Sequence, residues 1–110
     1  MSADPFMLLG GSAADLVHAH AVESGRVRPH RVLDGDGFKI RMLTMDASTT
    51  MREHRAPVPI LVQVVAGAVR FRVAETEHVL HPGGTITVTA GVLHELEADR
   101  PSHVLLVLLG

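Results

Sequence analysis

A chain of 110 residues has room for one domain and one core, and a chain of that size buries roughly two thirds of the surface its unfolded form exposes. Hydrophobic residues make up 46% and charged residues 20%, which excludes a disordered chain, and a formal charge of −2 leaves no basic surplus to meet a phosphate backbone. The absence of cysteine excludes disulfides, thiolate nucleophiles and cysteine-ligated zinc, and the absence of Trp and Tyr, with only three Phe, removes the flat platforms that bases and sugars stack on.

The start, Met1-Ser2-Ala3-Asp4-Pro5, has no positive region ahead of the short apolar run Phe6 to Leu9, so it reads as a poor secretory signal. The longest later apolar run, Val104 to Leu109, has six residues, where a membrane span needs ~20. A soluble protein is expected, with no nucleic-acid or membrane partner, and a cytoplasmic location fits.

Ser12 is a candidate cap for a helix over Ala13 to Glu23, with Asp15 near the positive end of its dipole and Gly25 as the stop. Everything after Gly25 reads as strand and turn. Strands are predicted at His30 to Leu33, Phe38 to Met45, Thr49 to His54, Ile60 to Val65, Val69 to Val73, Glu77 to Leu80, Thr85 to Thr89, Leu93 to Ala98 and His103 to Leu109. Turn chemistry separates them: Asp34 to Gly37, Pro57 with Pro59, Gly67, Pro82-Gly83-Gly84, Ala90-Gly91 and Asp99 to Pro101. Nine short strands spaced by turns predict a sandwich or barrel. The expected organisation is an N-terminal segment with its helix over 1–28 and a barrel over 29–110.

Alternation sorts the side chains by face. Val69, Phe71 and Val73 share one face and Arg70 and Arg72 the other, which reads as solvated. His94 shares its face with Leu96 and Ala98 and is expected to point inward, with Glu95 and Glu97 outside. Gln63 shares its face with Leu61 and Val65, so this amide is expected to project from an apolar side.

Two segments each carry one histidine between strands: Glu53-His54-Arg55-Ala56-Pro57 running to Gly67, and Pro82-Gly83-Gly84 running to Leu93-His94-Glu95. From about Met42 to Leu109 the pattern resembles a small single-domain cupin of the conserved-barrel type, an RmlC-like jelly roll. The resemblance implies an all-β fold, a double-stranded β-helix with one short N-terminal α-helix. Counting back from Gly67, His54 falls at the first motif histidine, while Ala56 stands at the second and Ile60 at the usual acidic position. Pro82, Gly83 and His94 match the second motif.

Carried onto this sequence, the resemblance implies that His54, Gln63 and His94 face one cavity; His103, which begins the last strand, is by its position a further candidate imidazole. Two imidazoles and an amide oxygen would leave a divalent Zn, Fe, Ni or Mn ion with its full charge and open positions, bound more weakly than by a carboxylate-containing triad. The bland alternative is a pair of neutral interior histidines lining a metal-free pocket. The expected function is binding of a small, mostly apolar molecule between walls that include Leu61, Val65, Phe71, Val73 and Leu96. The alternatives are a metal-dependent dioxygenase or isomerase acting on an oxygen-rich substrate, and a non-catalytic sensor or structural domain.

The other histidines read as ordinary. His18 and His20 are two apart on the predicted helix and do not share a face, His30 follows Pro29 at a strand edge, and His78 and His81 flank the strand before Pro82. No Gly-x-Ser-x-Gly elbow or Walker lysine is present. Val104 to Leu109 is apolar on both faces, which predicts cover from a second copy and hence a homodimer.

Overall fold

A computed structural model describes residues 5–110; Met1 to Asp4, at the start that reads as a poor secretory signal, lie outside the described residues. Nine strands follow one helix: α1 (Ala13–Ala19), β1 (Val27–Asp34), β2 (Lys39–Met45), β3 (Thr50–His54), β4 (Ile60–Ala66), β5 (Val69–Val73), β6 (Thr76–Leu80), β7 (Thr85–Val88), β8 (His94–Ala98) and β9 (Ser102–Leu108). They form two antiparallel sheets, ordered β1-β2-β9-β4-β7 and β3-β8-β5-β6. Strands distant in sequence pair within each sheet, and the two sheets close over one core as an all-β jelly roll.

The core lies between the sheets. Leu43, Met45, Ile60, Val62, Val64 and Val104 come from the five-stranded sheet, and Val69, Phe71, Leu96 and Ala98 from the four-stranded one. Alternation holds where one face is charged. Arg70 and Arg72 project from the outer face of β5, where Arg72 meets Glu95 at 2.8 Å and Glu97 at 2.5 Å and Arg70 meets Asp99 at 3.0 Å. These pairs lie at the solvent-facing surface and add little stability. They also mark which face of β5 and β8 looks outward.

Gly67 turns the chain between β4 and β5 with φ +90. A Cβ there would meet Ser102 Oγ and the Pro101 carbonyl. Ser102 Oγ accepts from Ala68 N–H at 3.1 Å and donates to Arg100 O at 2.7 Å, so this turn is stitched to the start of β9.

The helix ends at Ala19 and not at Glu23. Ser12 caps it as expected, its side chain accepting from Asp15 N–H, but His20 is already extended at φ −140 and ψ 108. The carbonyl of His20 is taken by His103, 2.6 Å away, and its ring lies against that of His30. Tertiary contacts here override a run of helix-compatible residues. No residue of α1 is buried, and the helix packs against β4. Among the described residues no helix is long and apolar enough to cross a membrane.

Candidate functional site

His54 and His94 end β3 and begin β8 and pair directly across the sheet. In a regular strand Met51 and His54, three residues apart, would point to opposite faces. The β3–β8 register shifts between them, and this bulge turns both side chains into the same cavity. The imidazole centroids lie 4.2 Å apart at 63°. On its other side His94 stacks on Phe71 at 5.6 Å and 7°.

Backbone carbonyls fix the protons on both rings. His54 Nδ1 is 2.8 Å from Arg52 O and His94 Nδ1 is 3.0 Å from Val92 O. A carbonyl only accepts, so each Nδ1 carries the hydrogen, and in its neutral form each ring presents a bare Nε2 lone pair. Burial is the main cause that holds the His94 pKa below its ordinary value; the Val92 carbonyl opposes this, and the nearby His54 adds to it. The pair is therefore built to accept hydrogen bonds or to ligate.

The cavity is small and apolar. Its volume is about 20 Å³, and Leu43, Met51, Ile60, Val62, Leu96, Val104 and Leu106 line it with the two histidines. That is space for about one water molecule. A larger open groove of about 410 Å³ runs beside the β5–β6 turn, lined by Glu53, Arg72, Glu75, Glu77, Leu93 and Glu95. Arg72 pairs with Glu77 and Glu95, Glu53 and Glu75 add further carboxylates, and neither of the paired histidines lines this groove.

Four expected participants lie elsewhere. Gln63 and Leu61 do not face the cavity, because Ile60, Val62 and Val64 are the buried positions of β4. Gln63 Nε2 instead donates to Thr85 Oγ1 on β7 at 2.9 Å. With Val65 it lies on the outer face of the five-stranded sheet. His103 also points outward: Val104 belongs to the core and Leu106 to the cavity, so its neighbour in an alternating strand faces the other way. Burial of His103 comes from the N-terminal segment, through His20.

Of the expected site residues, His54, His94, Phe71 and Leu96 are brought together. Ile60, at the position where the resemblance puts an acid, lines the cavity beside the two histidines. Among the described residues no three His, Asp or Glu side chains converge as a metal site. Two neutral imidazoles in an apolar cavity fall short of the three protein ligands that a catalytic zinc site uses. The donor set does not fit a resident divalent metal.

Met51 reaches the cavity only through the bulge, which the local sequence does not mark. Leu43, Ile60, Val62, Val104 and Leu106 lie on expected strands but outside the expected set of cavity walls.

A model of the AraC-like ligand binding domain family matches residues 43–108, more than half of the chain. Among solved structures the chain is similar to a cupin superfamily protein from Desulfitobacterium hafniense, at 14% identity and TM-score 0.78 over 88% of this chain and 85% of that one. An RmlC-like cupin protein from Desulfovibrio desulfuricans aligns at 16% identity and TM-score 0.76 over 99% and 96%. A conserved Streptococcus pyogenes protein of unknown function aligns at 17% identity and TM-score 0.76 over 99% and 90%. At these identities the likeness is one of fold. Comparison with curated proteins found no match.

Proposed function

Because this chain belongs to the AraC-like ligand binding domain family, in the form of a small cupin domain, we propose that it binds a small molecule between its sheets, with His54 and His94 as paired acceptors. The single observation that supports this reading most is the pair of Nδ1 bonds to Arg52 O and Val92 O. They commit both rings to the tautomer whose Nε2 atoms accept from a ligand's N–H or O–H. Apolar walls around them favour a small, mostly apolar molecule with one or two donors.

Entry requires the cavity to widen, since pockets for such ligands run to roughly 300 Å³ or more. Gly91 N–H donates to Ala56 O at 2.8 Å, joining the segments that follow His54 and precede His94. Parting of this one bond is the proposed opening, and the unbranched thioether of Met51 supplies a wall that repacks.

The binding domain is metal-free in this reading, and a metal-dependent dioxygenase or isomerase is the second reading. The Nδ1-to-carbonyl arrangement that orients an acceptor also orients a metal ligand, so in that alternative His54 and His94 would be the residues to hold a divalent ion, which would supply a Lewis acid. The proposed assembly is a homodimer, supported by the exposed Phe6, Met7 and Leu8 and by the half-buried Leu105 and Val107 on the outer side of β9.

A thermal-shift screen of wild type and His54→Ala tests the function, using donor-bearing apolar molecules, sugars, nucleotides and Zn, Fe, Ni and Mn salts. Stabilisation by the first group, absent in His54→Ala, is the expected result. Stabilisation by sugars or nucleotides alone contradicts it. Near one metal equivalent per chain by elemental mass spectrometry, lost in His54→Ala, moves the enzyme reading to the front.

A further inference from the structure

A second set of histidines lies on the opposite side of the five-stranded sheet. The rings of His20, after α1, and His30, on β1, are 4.7 Å apart and inclined at 31°. His30 Nε2 lies 3.0 Å from Thr44 Oγ1, and that hydroxyl donates to Arg28 O at 3.3 Å. The Thr44 hydrogen is thereby spent on a carbonyl, so His30 donates to Thr44. His103, on β9, donates from Nε2 to His20 O at 2.6 Å. Register places Thr44 opposite both Arg28 and His103, so one buried hydroxyl on β2 sits between the strands that carry the other two histidines. Thr44 is 0% and His103 5% exposed.

We infer that His20, His30 and His103 form a clasp that holds the N-terminal segment on the outer face of the sheet at neutral pH and releases it on acidification. Besides the packing of α1 on β4 and the bond from Gly25 to Asp46, the segment is held by a tilted ring pair and one hydrogen bond between side chain and backbone, after a helix that has no buried residue of its own. Such a segment belongs to the low-stability end of a fold. Protonating the stacked rings places like charges side by side. The bond from His103 survives protonation, since a charged imidazole still donates; the stack does not.

The charged groups nearby do not offset this. Those acting on His20 are His30 and His103, and both lower its pKa together with burial, the largest cause. From the connection after α1, Glu23 interacts with His30 but is bound to Arg28 Nε at 2.5 Å. Asp46 is taken by Gly25 N–H at 2.6 Å and Ala47 N–H at 2.8 Å. The group that faces them from β2 is the uncharged Thr44, and α1 contributes His18, which is exposed. The sign follows: a histidine whose pKa is lowered in the clasped state favours that state above its ordinary value near 6.5, and the preference is lost as pH falls below it.

Amide hydrogen exchange by NMR on the full chain, corrected for the intrinsic pH dependence of exchange, tests the clasp. Between pH 7.5 and 5.0 the amides of His20 and Gly25 are expected to lose protection relative to the core. The nuclear Overhauser contacts between the His20 and His30 rings disappear over the same range. Val62 and Val64 in the core lose less over the same range. His20→Phe, which keeps a ring on His30 without a charge, is expected to keep the segment protected at both pH values, and His30→Phe does the same should the first variant fold poorly. Equal protection of the wild-type segment at both pH values, an equal loss at Val62 and Val64, or an unchanged loss in the Phe variants overturns the inference.

Discussion

His54 and His94 face each other across the β3–β8 pair with ring centroids 4.2 Å apart, and each gives its Nδ1 hydrogen to the carbonyl two residues before it. The two bare Nε2 atoms that result are the chemical content of the cavity. A strand bulge and two backbone carbonyls produce them, without any charged partner.

Truncation of His94 separates its packing from its chemistry. The ring is 3% exposed and stacked on Phe71, so His94→Ala should cost about 2 kcal/mol through lost contacts and a larger void. Urea denaturation would show the midpoint falling with an unchanged slope.

Acidification should weaken the fold through the same residue. Because burial lowers the His94 pKa in the native state, the unfolded chain binds its proton first, and stability is lost as pH falls below about 6.5, the ordinary histidine value. Urea midpoints at pH 7.5 and 5.0 should differ more in wild type than in His94→Gln. An equal difference in the two proteins would remove His94 as a cause.

Gln63→Ala should leave both stability and cavity binding unchanged, within about 0.5 kcal/mol. Its amide faces outward to Thr85. A loss of binding matching that of His54→Ala would return Gln63 to the site.

Ile60→Glu should create what the native donor set lacks. Ile60 lines the cavity with both histidines, so a carboxylate there completes a two-histidine, one-carboxylate set. Without metal the buried acid should destabilise the fold by about 2 kcal/mol or more. Added Zn should restore the melting temperature in the variant and leave the wild type unmoved.

Gly67→Ala should be among the most damaging small changes. The position has φ +90 and no room for a Cβ beside Ser102 and Pro101. Strain of ~1–2 kcal/mol from the left-handed backbone adds to the clash, so calorimetry should show the melting temperature falling by roughly 10 °C or more.

Much of this fold is legible in the sequence because turn residues and alternation agree. Pro82-Gly83-Gly84, Asp34 to Gly37 and Gly67 punctuate the strands, and Arg70 and Arg72 mark the outer face of β5 unambiguously. β4 is different. Leu61 and Val65 are as apolar as Ile60, Val62 and Val64, so alternation gives the two sets without saying which is buried; the sandwich buries the second, and Gln63 leaves the site with the first. β3 conceals its bulge, since nothing in Met51-Arg52-Glu53-His54 announces that two side chains three apart share a face. The helix end and the His20–His30–His103 cluster depend on contacts between residues up to 83 positions apart, which no local pattern carries.

The measurement that bears most directly on the acceptor pair is long-range proton–nitrogen NMR of the imidazoles at pH 7.5. The account predicts that His54 and His94 are both neutral, with hydrogen on Nδ1 and none on Nε2. A hydrogen on Nε2 of either ring, or a charged ring, would contradict it.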